Sequence, residues 1–119
     1  MILGFKPQFV DKILSGSKIH TIREDKHNRW KAGNKIQFAT GVRTKDYKQF
    51  FEGECTGIQK IEIFGATGEV IVDGRRLSLY GDDYKLLFND GFDSLQDFFN
   101  WFGNDFSGKI IHWTNFTYK

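Results

Sequence analysis

Residues 50–64 read FFEGECTGIQKIEIF and form a long strand-favouring run. Aromatic and β-branched residues of this kind favour a pleated, half-buried strand. The isolated glycines Gly53 and Gly57 indicate bulges or tight curvature, as in a small barrel. Further along the chain, Val72-Asp73-Gly74-Arg75 contains the Asp-Gly pair of a type I′ hairpin turn. The middle of the chain therefore predicts short, curved, mostly antiparallel strands.

The residues before this run predict a strand, a helix and two further strands. Residues 2–5 favour a short opening strand. Pro7 suits the first turn of a helix, because its missing N–H is not needed there, and Gly16 is placed to end that helix in a left-handed conformation. Residues 19–23 and 35–40 then favour strands, with a polar, turn-rich segment between them. The apolar face of the predicted helix consists of Phe9, Val10, Ile13 and Leu14.

The last third of the chain predicts two short helices and a closing strand. Asp82 or Asp83 is placed to cap the first helix, which Gly91 ends. Asp93 and Ser94 are placed to cap the second helix, with Gln96 or Asp97 positioned for a capping box. Residues 109–116 favour the strand. The second helix carries an apolar stripe typical of a core-facing helix, formed by Leu95, Phe98, Phe99 and Phe102.

This order of elements predicts an α+β fold in one domain that spans residues 1–119. Short loops and glycine bends between the strands favour a small, mostly antiparallel β-barrel with flanking α-helices. Aromatic residues make up 17% of the chain, which is too apolar for a disordered segment. We expect the domain to be a monomer.

Composition argues against several classes of protein. No apolar run approaches the roughly 20 residues of a membrane helix, and residues 1–5 lack the basic leader of a secretory signal. The chain has a lone cysteine, Cys55, which cannot form an internal disulfide, and this favours a reducing compartment. We therefore expect a cytoplasmic protein without membrane contact.

The three histidines are too scattered for a metal site, and no phosphate-binding glycine loop occurs. We therefore expect neither metal nor cofactor.

Positive charge is concentrated in one part of the sequence. Residues 17–49 carry nine Lys or Arg and three acids, whereas residues 50–119 carry six and eleven. Such a segment predicts either a positive face for phosphate-bearing ligands or a solvated basic loop.

Within that segment, residues 16–23 read GSKIHTIR and place Lys18, His20, Thr21 and Arg23 directly after the helix end. Side chains of this kind can present donors to a phosphate, a carboxylate or a base edge. The alternative is an exposed edge strand that uses charge against aggregation. Because Lys18 and Thr21 lie three residues apart, they converge only if the strand begins after Lys18 or contains a bulge.

The run of residues 13–23, ILSGSKIHTIR, resembles the signature of the ASCH domain family. That signature is a helix ending in Gly-x-Lys, followed by a polar strand ending in Arg. Asn89-Asp90-Gly91-Phe92 leading into residues 94–98, and Ile111-His112-Trp113, resemble later parts of the same family. The resemblance implies a PUA-like pseudo-barrel with flanking helices, a cleft lined by Lys-x-x-Thr-x-Arg, and RNA binding.

Some small bacterial members of this family are amidohydrolases that act on 4-acetylcytidine through a Lys, a Thr three residues later and a Glu. The resemblance places the first two at Lys18 and Thr21. The nearest acid to the third position is Asp90, which is one methylene shorter than Glu. A lysine buried among apolar groups loses proton affinity, so it can serve as a base that activates a hydroxyl or a water.

Three functions follow as hypotheses. The first is a module that binds RNA or a nucleoside or nucleotide ligand, the second is this deacylase, and the third is a regulatory protein-interaction domain that uses the late helices. Arg23 is expected either to bind the ligand or to form a surface ion pair with Glu24 or Asp25. Trp30 and Tyr47 are expected either to stack on a base or to anchor their loops. The candidate binding residues are Gly16, Ser17, Lys18, His20, Arg23, Lys26, Arg29, Trp30, Lys31 and Tyr47.

Overall fold

A computed structural model describes all residues, 1–119, as an α+β fold with mostly antiparallel strands and short helices. The eight strands are β1 (Ile2–Gly4), β2 (His20–Arg23), β3 (Lys35–Thr40), β4 (Lys48–Glu54), β5 (Gly57–Phe64), β6 (Glu69–Val72), β7 (Arg75–Leu77) and β8 (Asp105–His112). The three α-helices are α1 (Val10–Leu14), α2 (Lys85–Asn89) and α3 (Leu95–Phe102), and a 3₁₀ turn (Pro7–Phe9) precedes α1.

The strands form two sheets. One has the order β1-β3-β4, with β1 parallel and β4 antiparallel to β3. The other has the order β2-β8-β5-β6-β7 and is antiparallel throughout. The strands do not close into a barrel, which differs from the closed arrangement that the glycine-interrupted strands led us to expect. None of the helices is both long and apolar enough to cross a membrane.

The strand-favouring run at residues 50–64 belongs to both sheets. It leaves the first sheet at Glu54, turns at the buried Cys55, and enters the second sheet at Gly57. The register between β3 and β4 shifts so that Phe50 is left unpaired, and the bulge therefore lies there rather than at a glycine. Gly53 has a packing role instead, because a β-carbon at this position would lie 3.2 Å from the Phe38 ring.

The hairpin between β6 and β7 is the turn that the sequence predicted. Asp73 and Gly74 have φ values of 49° and 81°, as a type I′ turn requires at both central positions. Helix α3 also begins as predicted, because Ser94 Oγ accepts a hydrogen bond from the Asp97 backbone N–H at 3.1 Å.

Two predicted boundaries were wrong. The closing strand spans Asp105–His112 rather than residues 109–116, since it pairs along the whole length of β5. No aspartate caps α2, whose N-cap position is Tyr84; the Asp83 carboxylate instead accepts the backbone N–H of Ser78 at 2.9 Å. The strand boundary follows from a partner distant in sequence, and the lost cap follows from a competing contact five residues away.

The two sheets and the helices share one apolar core of 20 buried residues. Phe38 from the first sheet, Ile61 and Ile110 from the second, and Leu86 and Phe98 from the helices are all almost inaccessible to solvent. Packing of helices against both sheets brings the start of β2 close to the loop between α2 and α3. That junction contains the buried polar residues Lys18 and Asp90, which a core of this kind excludes unless they are paired.

Candidate active site

A cavity of about 390 Å³ opens where the chain segments around β1, β2 and the two late helices meet. This volume lies in the usual range for small-molecule sites. Its walls are mainly aromatic, and its polar lining side chains are Lys6, Lys18, Thr21, Arg23 and Asp90. The cavity therefore contains the three residues Lys18, Thr21 and Asp90 that the family resemblance suggested as a catalytic group.

Local backbone geometry brings Lys18 into this cavity. Gly16 adopts a φ of +85° and ends the first helix, as predicted, and β2 begins only at His20. Lys18 therefore precedes the strand, and its side chain reaches the same cavity as Thr21. Gly91 makes room for it, because a β-carbon there would lie 2.9 Å from Lys18 Cδ.

Lys18 is a buried amine, with 3% of its surface exposed. Its Nζ donates to the Asp90 backbone carbonyl at 2.5 Å and lies 3.4 Å from Asp90 Oδ1. The rings of Phe5 and Phe9 lie 5.7 and 5.0 Å from the same atom. Burial lowers the pKa of Lys18 from 10.5 to about 8, although the Asp90 carboxylate opposes this change. The neutral amine is therefore accessible near neutral pH, unlike that of an exposed lysine.

Arg23 forms hydrogen bonds with Thr21 and Gly4 instead of an ion pair with an acid. Its Nε donates to Thr21 Oγ1 at 3.2 Å, its Nη2 donates to the Gly4 carbonyl at 2.5 Å, and its guanidinium lies 4.9 Å from the Phe5 ring centre. The alternative pairing with Glu24 or Asp25 is not found, since those acids pair with Lys26 and Lys109. Arg23 thus places a positive charge at the cavity wall without a direct ion pair, although the Asp90 carboxylate lines the same cavity.

The Asp90 carboxylate oxygen that lies near Lys18 also contacts a buried histidine. His20 Nδ1 lies 3.1 Å from Asp90 Oδ1, and His20 is fully buried behind the cavity without lining it. Its position corresponds to a packed histidine rather than to a ligand-binding one. Burial lowers the pKa of His20, which favours the neutral ring.

The apolar wall consists of aromatic rings in edge-to-face contact. Phe9, Phe92 and Trp101 have ring centres 5.5 to 5.7 Å apart, and Lys6 Nζ lies 5.0 Å from the centre of the Trp101 ring. Sequence reasoning did not assign these aromatic residues to the site, and it assigned Phe102, which also lines the cavity, to the core. The sequence feature that could have indicated this wall is Trp101, an aromatic residue that lies outside the apolar stripe of its helix.

The remaining predicted binding residues lie outside this cavity. Gly16 and Ser17 are exposed, and Gly16 lines a separate shallow groove. Lys26, Arg29 and Lys31 are exposed on the loop after β2. The same segment 17–49 therefore supplies both the buried cavity residues and a set of solvated charges.

The two predicted stacking residues differ in their surroundings. Trp30 is partly buried and packs against the core, which matches the anchoring alternative. Its loop is organised by Asp25, whose carboxylate accepts the backbone N–H groups of Arg29 and Trp30 at 2.8 and 3.0 Å. Tyr47 is exposed and contributes nothing to the cavity wall.

No group of three or more His, Cys, Asp or Glu side chains is arranged to hold a metal ion. The cavity instead offers an amine, a hydroxyl, a guanidinium and a carboxylate, which together suit acid–base and acyl-transfer chemistry. No protein-family model, no curated protein and no solved structure matches this chain.

Proposed function

We propose that the chain is a small amidohydrolase that removes the acyl group from an N-acylated nucleoside of the 4-acetylcytidine type. The observation that carries this proposal is the buried Lys18 amine, with its lowered pKa, in one cavity with Thr21 and Asp90. The Gly-x-Lys signature supports the same assignment through the ASCH family and its PUA-like pseudo-barrel. The two sheets with flanking helices do not close into a barrel, and they are compatible with a pseudo-barrel.

In the proposed reaction, neutral Lys18 accepts the hydroxyl proton of Thr21 while Thr21 Oγ1 bonds to the acyl carbon. Because Arg23 Nε already donates to that oxygen, the hydroxyl proton is free to point elsewhere. The C–N bond then breaks, and the Lys18 ammonium returns its proton to the exocyclic nitrogen of the leaving base. Water hydrolyses the resulting ester, releases the carboxylic acid and restores Thr21.

Arg23 is the group that stabilises the negative charge developing on the acyl oxygen. A guanidinium carries five N–H donors, and contacts with Thr21 and Gly4 use only two of them. The cavity wall is otherwise apolar, so a charge–charge interaction there is stronger than in water. We assign the aromatic wall around Trp101 to stacking on the nucleobase.

The test incubates the protein with 4-acetylcytidine and measures the release of cytidine by chromatography. Wild type is expected to release cytidine and Lys18→Ala is expected to show none above background, while Lys45→Ala, which removes an exposed lysine in the loop after β3, matches wild type. Normal turnover by Lys18→Ala would remove Lys18 from the mechanism. If wild type releases no cytidine, the deacylase assignment is wrong.

A second candidate function is RNA binding, which we infer from the exposed Lys26, Arg29 and Lys31. Binding through these charges releases counterions from phosphates, so the affinity for single-stranded RNA is expected to fall steeply as salt increases. Titration of a labelled oligonucleotide at two salt concentrations measures this. An affinity that is independent of salt would rule out this surface as the RNA-binding face.

A further inference from the structure

A chain of buried polar groups extends away from the cavity behind Asp90. His20 Nδ1 lies 3.1 Å from Asp90 Oδ1, and His20 Nε2 lies 2.6 Å from the Tyr118 hydroxyl. The Asn89 side-chain amide donates to the same hydroxyl at 3.1 Å. The reaction proposed above uses neither His20 nor Tyr118, although both are connected to its carboxylate.

The chemistry of these groups fixes the direction of the hydrogen bonds. As a carboxylate, Asp90 can only accept, so the proton lies on His20 Nδ1. In a neutral ring, Nε2 is then an acceptor, so Tyr118 donates its hydroxyl proton to it. Burial lowers the pKa of His20 and raises the pKa of Tyr118, and both effects keep these groups neutral. Every member of the chain is therefore satisfied in one orientation.

The same geometry limits the contact between Asp90 and Lys18. Asp90 Oδ1 is nearer to His20 Nδ1, at 3.1 Å, than to Lys18 Nζ, at 3.4 Å. The shortest contact of Lys18 is instead with a neutral carbonyl, the Asp90 backbone oxygen, at 2.5 Å. If the Asp90 carboxylate turned fully towards Lys18, it would stabilise the charged form of the lysine. Lys18 would then be a poorer base.

We propose that Tyr118 and His20 are positioning residues of this site: Tyr118 holds the Nδ1-protonated ring of His20 in place through Nε2, and His20 in turn shares Asp90 Oδ1 with Lys18 and so limits its pairing with the ammonium. The catalytic consequence rests on the deacylase function proposed above. The tautomer and the orientation of Asp90 do not depend on it.

The backbone of Tyr118 is held in place by a second set of contacts. Gln59 Nε2 donates to the Tyr118 carbonyl at 2.7 Å, and Gln59 Oε1 accepts the Tyr118 N–H at 2.9 Å. His112 Nε2 donates to the same Gln59 oxygen at 2.9 Å, and its ring lies 5.3 Å from that of His20. The charged or titratable groups that face His20 are Asp90, Lys18, His112 and Tyr118.

Tyr118→Phe is the sharpest variant, because it removes only the hydroxyl and keeps the ring that packs on His20 and Phe116. We expect kcat for 4-acetylcytidine to fall about tenfold while KM stays within about twofold of wild type. The limb of the pH–rate profile that reports Lys18 is expected to move to higher pH, because Asp90 turns towards the ammonium. Tyr84→Phe, which alters an exposed tyrosine, is the matched control and keeps the wild-type profile.

A measurement without substrate separates this inference from the deacylase assignment. In the wild type, ring ¹⁵N spectra are expected to show His20 neutral with its proton on Nδ1, and Tyr118→Phe is expected to raise the pKa measured at Lys18. A wild-type His20 protonated on Nε2 would overturn the inference. The same conclusion follows if Tyr118→Phe leaves the Lys18 titration unchanged, whatever the protein hydrolyses.

Discussion

The Lys18 cavity and the two basic loops, at residues 24–34 and 41–47, draw on the same positively charged stretch of sequence but place its charges differently. In the cavity, Lys18 is buried and Arg23 lies against the Phe5 ring. In the loops, the lysines and arginines are exposed or nearly so. Exposed charges are screened by water and salt, whereas a buried charge retains its field and changes its pKa. The two regions therefore differ in reactivity because their charged groups differ in burial, and not because they differ in the number of charges.

The largest contrast is expected from a change that removes one hydroxyl from the cavity. Thr21→Val keeps the shape of the side chain but removes the proposed nucleophile, so kcat for 4-acetylcytidine is expected to fall by about 10³-fold or more. Combined replacement of Lys26, Arg29 and Lys31 by serine is expected to leave kcat within about twofold, because none of them lines the cavity. Both are measured by cytidine release. Equal losses in the two variants would erase the distinction between the regions.

A smaller loss is expected when the guanidinium is exchanged for an ammonium. Arg23→Lys keeps a positive charge but loses the forked donors that contact Thr21 and Gly4. We expect kcat to fall by about 10²-fold, or about 3 kcal/mol in transition-state stabilisation. Arg43→Lys in the loop after β3 is the matched control. Wild-type kcat in Arg23→Lys would mean that any cation at this position is sufficient.

The free energy of unfolding between pH 8 and pH 10 tests the lowered pKa of Lys18 without any substrate. The pKa of Lys18 is about 8 in the folded protein against 10.5 ordinarily, so the unfolded chain binds more protons in this interval. Stability due to this group therefore increases with pH, by about 2 kcal/mol between pH 8 and pH 10. Denaturant unfolding of wild type and Lys18→Met measures the difference, since the variant lacks this slope. Parallel curves for the two proteins would contradict the lowered pKa.

The smallest effect is expected at the aromatic wall. Trp101→Ala removes a ring proposed to stack on the base, so affinity for cytidine is expected to weaken about tenfold, or about 1.4 kcal/mol. Tyr47→Ala removes an exposed aromatic ring from a basic loop and is expected to leave cytidine affinity unchanged. Isothermal titration calorimetry compares the two. A larger loss for Tyr47→Ala would move base stacking from the cavity to the loop.

Local patterns predicted much of the fold because they depend on neighbours in sequence. The Asp73-Gly74 turn, the Gly16 helix end and the Ser94 cap are each determined by a few adjacent residues. The separation into two sheets at Cys55 was not predicted, because it depends on pairings such as that of β5 with β8. The extent of β8 was missed for the same reason.

The site was predictable only where its residues lie in one short segment. The pattern of Lys18, Thr21 and Arg23 directed attention to the cavity, and the condition that the strand begin after Lys18 is met in the structure. The link from Asp90 through His20 to Tyr118 joins residues from three distant parts of the chain. No sequence spacing indicates such a chain, because only the folded packing of β2 and the C-terminal segment brings them together.

The most direct test of the central claim, that the Lys18 cavity rather than the basic loops binds the ligand, is a map of cytidine binding on the ¹⁵N-labelled protein by NMR. We predict shifts at the backbone amides of Lys18, residues 21–23, Asp90 and Phe92 and at the Trp101 indole N–H, all of which belong to residues that line the cavity. Residues 26–31 and 43–47 are expected to stay unchanged. Shifts confined to those loops, with an unperturbed Trp101 indole, would contradict the account.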